Sequence, residues 1–131
     1  MTTWSKFEDI DVWQKAREVA KDKYLLTSKE IFKNDYSLRN QMRKTAGSIM
    51  DNIAEGFDRG GNQEFIQFLS ISRGSAGELK SQIYRAFDYK FISEKEFSDY
   101  IENVEAISKM ISGLINYLNK KTYRGIKYKS R

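Results

Sequence analysis

Four stretches of the chain repeat apolar side chains at the three- and four-residue spacing of an α-helix. The first runs from about Asp9 to Lys29, with Ile10, Trp13, Ala16, Ala20 and Tyr24 along one face. Asn34 and Asp35 then offer N-cap side chains for a second helix from about Tyr36 to Phe57, striped by Leu38, Met42, Thr45, Ile49 and Ile53. Asp58-Arg59-Gly60-Gly61 is the clearest turn, since glycine tolerates positive φ. A third helix is expected from about Asn62 to Lys90, with Phe65, Leu69, Ser72, Ala76, Leu79, Ile83 and Phe87 in register. Ser93-Glu-Lys-Glu96 has the form of a capping box. It opens a fourth helix striped by Phe97, Ile101, Val104, Ile111, Ile115 and Leu118. Connections of a few residues force consecutive helices to run antiparallel. The pattern predicts an all-α, antiparallel up-and-down four-helix bundle.

The outward faces carry a second pattern. Opposite its apolar stripe the third helix places Ser70, Gly74, Gly77 and Ser81, flanked by Ile66 and Tyr84. The second helix carries Gly47, Met50, Ala54 and Phe57 away from the centre of its stripe. A glycine inside a helix costs about 1 kcal/mol relative to alanine. A close backbone approach by another helix is the usual compensation. That helix belongs either to the same subunit or to a second copy, and a homo-oligomer interface is the stronger expectation.

Composition sharpens the picture. At 131 residues, 40% apolar and 31% charged, the chain fits one globular domain. Proline is absent, which leaves the helices uninterrupted. Cysteine and histidine are absent as well, which excludes zinc fingers, disulfide scaffolds, thiol redox chemistry and histidine-based triads. No apolar run approaches the roughly 18 residues of a membrane span, and the first residues lack a signal-peptide pattern. The expectation is a cytoplasmic protein without a membrane partner.

The net charge of +5 is unevenly spread. Lys120, Lys121, Arg124, Lys127, Lys129 and Arg131 fall in a terminal stretch without an acid, and the remainder is close to neutral. Residues 1–119 therefore read as the bundle domain and 120–131 as a basic C-terminal tail. Tyr123 and Tyr128 interleave the cations, which suits contact with phosphates and base faces. A solvated tail and an anionic membrane surface are the competing readings. A second basic cluster is Arg39, Arg43 and Lys44 on the second helix, where interface pairing competes with nucleic-acid contact.

Catalytic signatures are sparse. There is no Walker loop, dinucleotide fingerprint or nucleophile elbow. Gly56-Phe-Asp-Arg-Gly60-Gly61 lacks both the lysine and the preceding strand of a phosphate loop. Asp51 with Glu55 and Glu102 with Glu105 are same-face carboxylate pairs, but bundle metal sites add Glu-x-x-His. Glu55 and Arg59 have the favourable order for a surface ion pair. No cofactor, metal or small-molecule substrate is expected.

The segments Phe7-Glu-Asp-Ile-Asp-Val-Trp-Gln-Lys-Ala16, Leu38-Arg-Asn-Gln-Met-Arg43, Ser48-Ile49 and Asn52-Ile-Ala-Glu-Gly-Phe57 form a familiar series. It continues through Glu64-Phe-Ile-Gln-Phe-Leu-Ser-Ile-Ser-Arg-Gly-Ser75 and Glu78-Leu79. Together they resemble the bacterial four-helix-bundle proteins related to the 23S rRNA intervening-sequence protein, over roughly residues 7–119. The resemblance implies a bundle that assembles as a ring-shaped homopentamer, with no known catalytic residues and with suspected nucleic-acid binding. Relatives commonly carry a proline shortly before Asn-Ile-Ala-Glu-Gly; Met50 stands there in this chain, which implies a straighter second helix. The basic tail lies outside the shared region. The leading expectation is a non-enzymatic oligomeric module that contacts RNA or a ribonucleoprotein. The alternative is a structural or protein-interaction scaffold.

Overall fold

Two of the four helices open on the caps their sequences supply. In the computed structural model, which describes residues 4–129 and the side chains of 4–121, α1 spans Asp11–Thr27, α2 Tyr36–Asp58, α3 Asn62–Asp88 and α4 Glu94–Lys129. Short 3-10 turns at Phe7–Asp9 and Glu30–Asn34 precede α1 and α2. Asp35 caps α2 by accepting the Leu38 N–H at 2.9 Å. The Ser93–Glu96 box closes in both directions. Ser93 Oγ accepts the Glu96 N–H at 3.1 Å, and Glu96 Oε1 accepts the Ser93 N–H at 2.9 Å. No strand occurs among the described residues.

Helix ends depart from the expected boundaries for local reasons. α3 stops at Asp88 rather than Lys90, because Lys90 adopts a left-handed conformation with φ of 65°. The Phe91 N–H then reaches Ala86 O at 2.8 Å and the Lys90 N–H reaches Phe87 O at 2.9 Å. That is the Schellman arrangement, here without the usual glycine. α1 stops at Thr27, whose hydroxyl donates back to Lys23 O. Between α2 and α3, Gly60 takes the positive φ of 86°, while Gly61 is extended and begins α3.

Partner residues show how the helices run. Along α2 and α3, Ile49 meets Ser72, Thr45 meets Gln82 and Gln41 meets Arg85, so positions fall on one helix as they rise on the other. Arg73 with Ser112 and Lys80 with Glu105 give the same relation for α3 and α4. Lys29 with Glu96 and Lys23 with Tyr100 give it for the α1 end and α4. The four helices therefore alternate in direction around one core. Leu38, Met42, Ile49, Ile53, Leu69, Leu79, Ile83, Ile107 and Ile111 are fully buried there. Each such aliphatic side chain contributes about 1.5–3 kcal/mol relative to exposure.

The α2–α3 seam is the tightest. A Cβ on Gly56 would lie 2.5 Å from Phe68 Cβ, so the last turn of α2 packs directly on α3. Farther along, buried Ser72 donates to Ile49 O at 2.7 Å, and Gln82 Nε2 donates to Thr45 Oγ1 at 3.1 Å. The inward stripes of α2 and α3 match the sequence periodicity. On α1 the stripe is rotated: Tyr24 is exposed and Val19, Lys23 and Leu26 point into the core instead. A lysine at the centre of that face hides it from a hydrophobicity count.

Candidate nucleic-acid interface

Arg39 and Arg43 lie one turn apart near the start of α2, on the side facing α1. The Arg43 guanidinium donates from Nε to Thr27 Oγ1 at 2.8 Å and from Nη2 to Ser28 Oγ at 3.0 Å. Its carbon sits 4.2 Å from the Tyr24 ring centroid. Arg39 stacks in the same manner on Tyr36, at 4.6 Å, and its Nε donates to Asn40 Oδ1. Neither arginine pairs with a carboxylate among the described residues. Asp35 accepts the Leu38 N–H in the α2 cap and Glu30 pairs with Lys33. Arg85, at the end of α3, has a similar neutral setting, donating to Gln41 Oε1 and lying 5.9 Å from the Tyr89 ring.

Lys44 goes elsewhere. At 100° per residue it turns toward α3, where it lines a shallow depression with Gln41, Thr45, Ser48 and Glu78. The structure brings Arg39 and Arg43 together but not Lys44. Lys120 and Lys121 are exposed near the end of α4. The side chains of Tyr123, Arg124, Lys127, Tyr128, Lys129 and Arg131 lie outside the described residues.

The small-residue face is open. Ser70, Gly74, Gly77 and Ser81 are exposed along α3. A Cβ added at Gly47, Gly74 or Gly77 would meet nothing within 4 Å. No helix of the same protomer therefore approaches these three glycines. Met50, Ala54 and Ile66 are half-buried against the rim of the core, and Tyr84 is exposed with its ring edge on Phe97.

A polar site that the sequence reading missed sits between α1 and α4. The Lys23 side chain is 2% exposed, and its Nζ has no hydrogen-bond partner. It lies 3.1 Å from the centroid of the Tyr100 ring. Burial pushes the Lys23 ammonium down to about 8, against the opposing pull of Asp22 and Glu96. Burial likewise raises the Tyr100 phenol to about 12, reinforced by Glu96, which also accepts its hydroxyl. The Ser93 N–H holds the Glu96 carboxyl below its ordinary range against the opposing effect of burial, assisted by Lys29.

Glu55 pairs with Arg59 at 3.1 Å, Glu105 pairs with Lys80, and no cluster of three potential metal ligands forms among the described residues. No helix among them is long and apolar enough to cross a membrane.

The fold thus defines an all-α protein of four alternating helices, with unpaired arginines at one corner and a bare small-residue face. Its family is shown by the match to the model for 23S rRNA-intervening sequence proteins over residues 8–113: the chain belongs to that family. It is similar in structure to a protein of unknown function from the S23 ribosomal protein family of Bacteroides thetaiotaomicron VPI-5482. The two share 20% sequence identity and a TM-score of 0.74, over 80% of this chain and 95% of the other. Comparison with curated proteins gives no match.

Proposed function

We propose that the protein is a non-enzymatic, oligomeric binding module that contacts RNA or a ribonucleoprotein through its basic surfaces, in the cytoplasm. The observation that carries this reading is the charge asymmetry. A nearly neutral body ends in six basic residues without an acid, and Arg39 and Arg43 lack carboxylate partners. The rRNA association in the family's description points the same way. Assembly as a homopentameric ring accompanies the proposal. It accounts for Gly47, Gly74 and Gly77 on α2 and α3, which no neighbour in the protomer approaches, and several tails in one particle raise avidity without new contacts.

The test is binding of a mixed-sequence RNA to the full chain at two salt concentrations. A second protein carries glutamine in place of Lys120, Lys121, Arg124, Lys127, Lys129 and Arg131. The substituted protein should bind at least tenfold more weakly, about 1.4 kcal/mol. The full chain should lose affinity with salt at a log–log slope of about −0.7 per single-strand phosphate contact. Light scattering should give about five times the 15.4 kDa chain mass, and Gly77→Leu should lower it by overpacking the interface. RNA affinities that are equal and independent of salt would leave a protein-interaction scaffold. A monomer at micromolar concentration would refute the assembly.

A further inference from the structure

We infer that the corner between α1 and α2 is a contact for single-stranded RNA, in which Tyr24 and Tyr36 stack on unpaired bases while Arg43 and Arg39 hold the adjoining phosphates. The inference rests on the RNA reading above and deepens it, assigning the base contacts to residues outside the tail.

The geometry of the corner carries the inference. Four flat groups follow one another across it: Tyr24 on α1, then Arg43, Arg39 and Tyr36 along the first two turns of α2. Both tyrosines are more than half exposed, at 57% and 53%. Each already carries a guanidinium on its ring, at 4.2 and 4.6 Å. Tyrosine is a large apolar body, and leaving two of them in water at one corner is unfavourable unless something covers them. A nucleobase does so well, because every base has a π-face and stacking tolerates any sequence.

The arginines supply the complementary half. Arg43 is held in place by two hydroxyls, Thr27 Oγ1 and Ser28 Oγ. Hydroxyls fix the fork without neutralising it. A guanidinium has five N–H donors, so three of those on Arg43 remain for a ligand. Lys29, Lys33, Arg59, Lys80 and Lys95 each meet a carboxylate, whereas Arg39 and Arg43 share their corner with tyrosine rings, an amide and hydroxyls. Arg39 and Arg43 are about 5–6 Å apart at Cβ, as i,i+4 neighbours are. That separation suits two successive phosphates of an extended strand.

An unpaired strand fits better than a duplex. In an A-form helix the bases are stacked on one another and their faces are closed to side chains. The tyrosines can then contribute nothing, and only phosphate contact remains. An acidic peptide would satisfy the arginines but would leave both ring faces in water.

The experiment uses the full chain and two probes, a short fluorescent single-stranded RNA of mixed sequence and a blunt RNA duplex of equal length. Tyr24→Leu/Tyr36→Leu keeps apolar bulk and removes the π-faces. It should weaken single-strand binding at least tenfold and leave duplex binding within about twofold. Tyr24→Phe/Tyr36→Phe should bind as the parent does. Arg39→Gln should reduce the salt slope on the single strand by about 0.7. Far-UV circular dichroism and particle mass should stay unchanged in all three proteins. If the leucine variant binds the single strand as tightly as the parent, the corner is not the site, although RNA binding itself stands. If the parent binds neither RNA at low salt, the site and the RNA reading fall together. If polyglutamate binds the parent and is lost in the leucine variant, the corner takes acidic protein and the assignment is wrong. A changed particle mass in the leucine variant would overturn it too, by placing the tyrosines in the subunit interface.

Discussion

Replacing Lys23 by methionine should make the protein more stable at neutral pH. The ammonium is buried without a hydrogen bond, and its pKa falls from 10.5 to about 8. At 1.36 kcal/mol per unit, burial of the charged form costs about 3 kcal/mol at pH 7. The Tyr100 ring at 3.1 Å returns part of this, since a desolvated cation–π contact contributes about 2 kcal/mol. Methionine fills the same unbranched space without the charge, so Lys23→Met should gain about 1–2 kcal/mol at pH 7. The advantage falls as pH rises. Between pH 8 and 10.5 the unfolded chain holds a proton on Lys23 that the folded chain has released, so the parent gains stability as pH rises. Tyr100, raised to about 12, acts in the opposite sense above pH 10: its folded phenol keeps a proton that the unfolded one loses. Asp22 and Glu96 face the ammonium and oppose its shift, and Lys29 pairs with Glu96. Urea unfolding of both proteins, at one protein concentration and at pH 7 and 9.5, measures the difference. The stability gap should narrow by about 2 kcal/mol at the higher pH. A less stable methionine variant at pH 7, or a gap independent of pH, would refute this account.

Gly56→Ala should destabilise by about 1–3 kcal/mol, because the new Cβ meets Phe68 Cβ at 2.5 Å and neither backbone can yield freely; thermal unfolding reads it directly. Lys90→Gly should stabilise by about 1 kcal/mol, because glycine adopts the left-handed φ of 65° without the steric cost borne by a side chain. Ser93→Ala should cost about 1 kcal/mol at neutral pH through loss of the α4 cap. The Glu96 arm of that cap is held below its usual pKa, so its contribution is present above the unfolded value of 4.5 and fades on acidification.

The stripes of α2 and α3 are legible because their inward positions, Gln82 excepted, are apolar, small or hydroxylated: Leu38, Met42, Thr45 and Ile49 on one, Leu69, Ser72, Ala76 and Leu79 on the other. The Asp35 and Ser93 caps were legible because their chemistry is local. α1 failed the same test. Its inner face carries Lys23, and a hydrophobic period assigns lysine to water, which shifted the expected face toward Tyr24. The Tyr100 ring and Glu96, both far along the chain, help make the buried position tolerable, with Asp22 beside it. The end of α3 was misplaced for a related reason: the left-handed residue there is Lys90, and no glycine marks it. At the corner, Arg39 and Arg43 could be named from their spacing. Tyr24 could not, because its place beside Arg43 depends on how α1 packs on α2.

The glycines separate what one protomer requires from what it leaves over. Intrinsic propensity charges each helical glycine about 1 kcal/mol relative to alanine wherever it stands. At Gly56 the protomer supplies the reason, in the close passage of Phe68. At Gly47, Gly74 and Gly77, and at Gly113 on α4, it supplies none, since the space beyond each is empty to 4 Å. The three on the adjoining helices α2 and α3 are hard to reconcile with an isolated bundle, in which alanine would be the better residue at each. A second backbone approaching that face removes the difficulty. The arrangement also has a geometric consequence. Gly47 lies four residues beyond Arg43 and within about 40° of it on the surface of α2, so a subunit contact over Gly47 would border the Arg43–Tyr24 stack rather than stand clear of it.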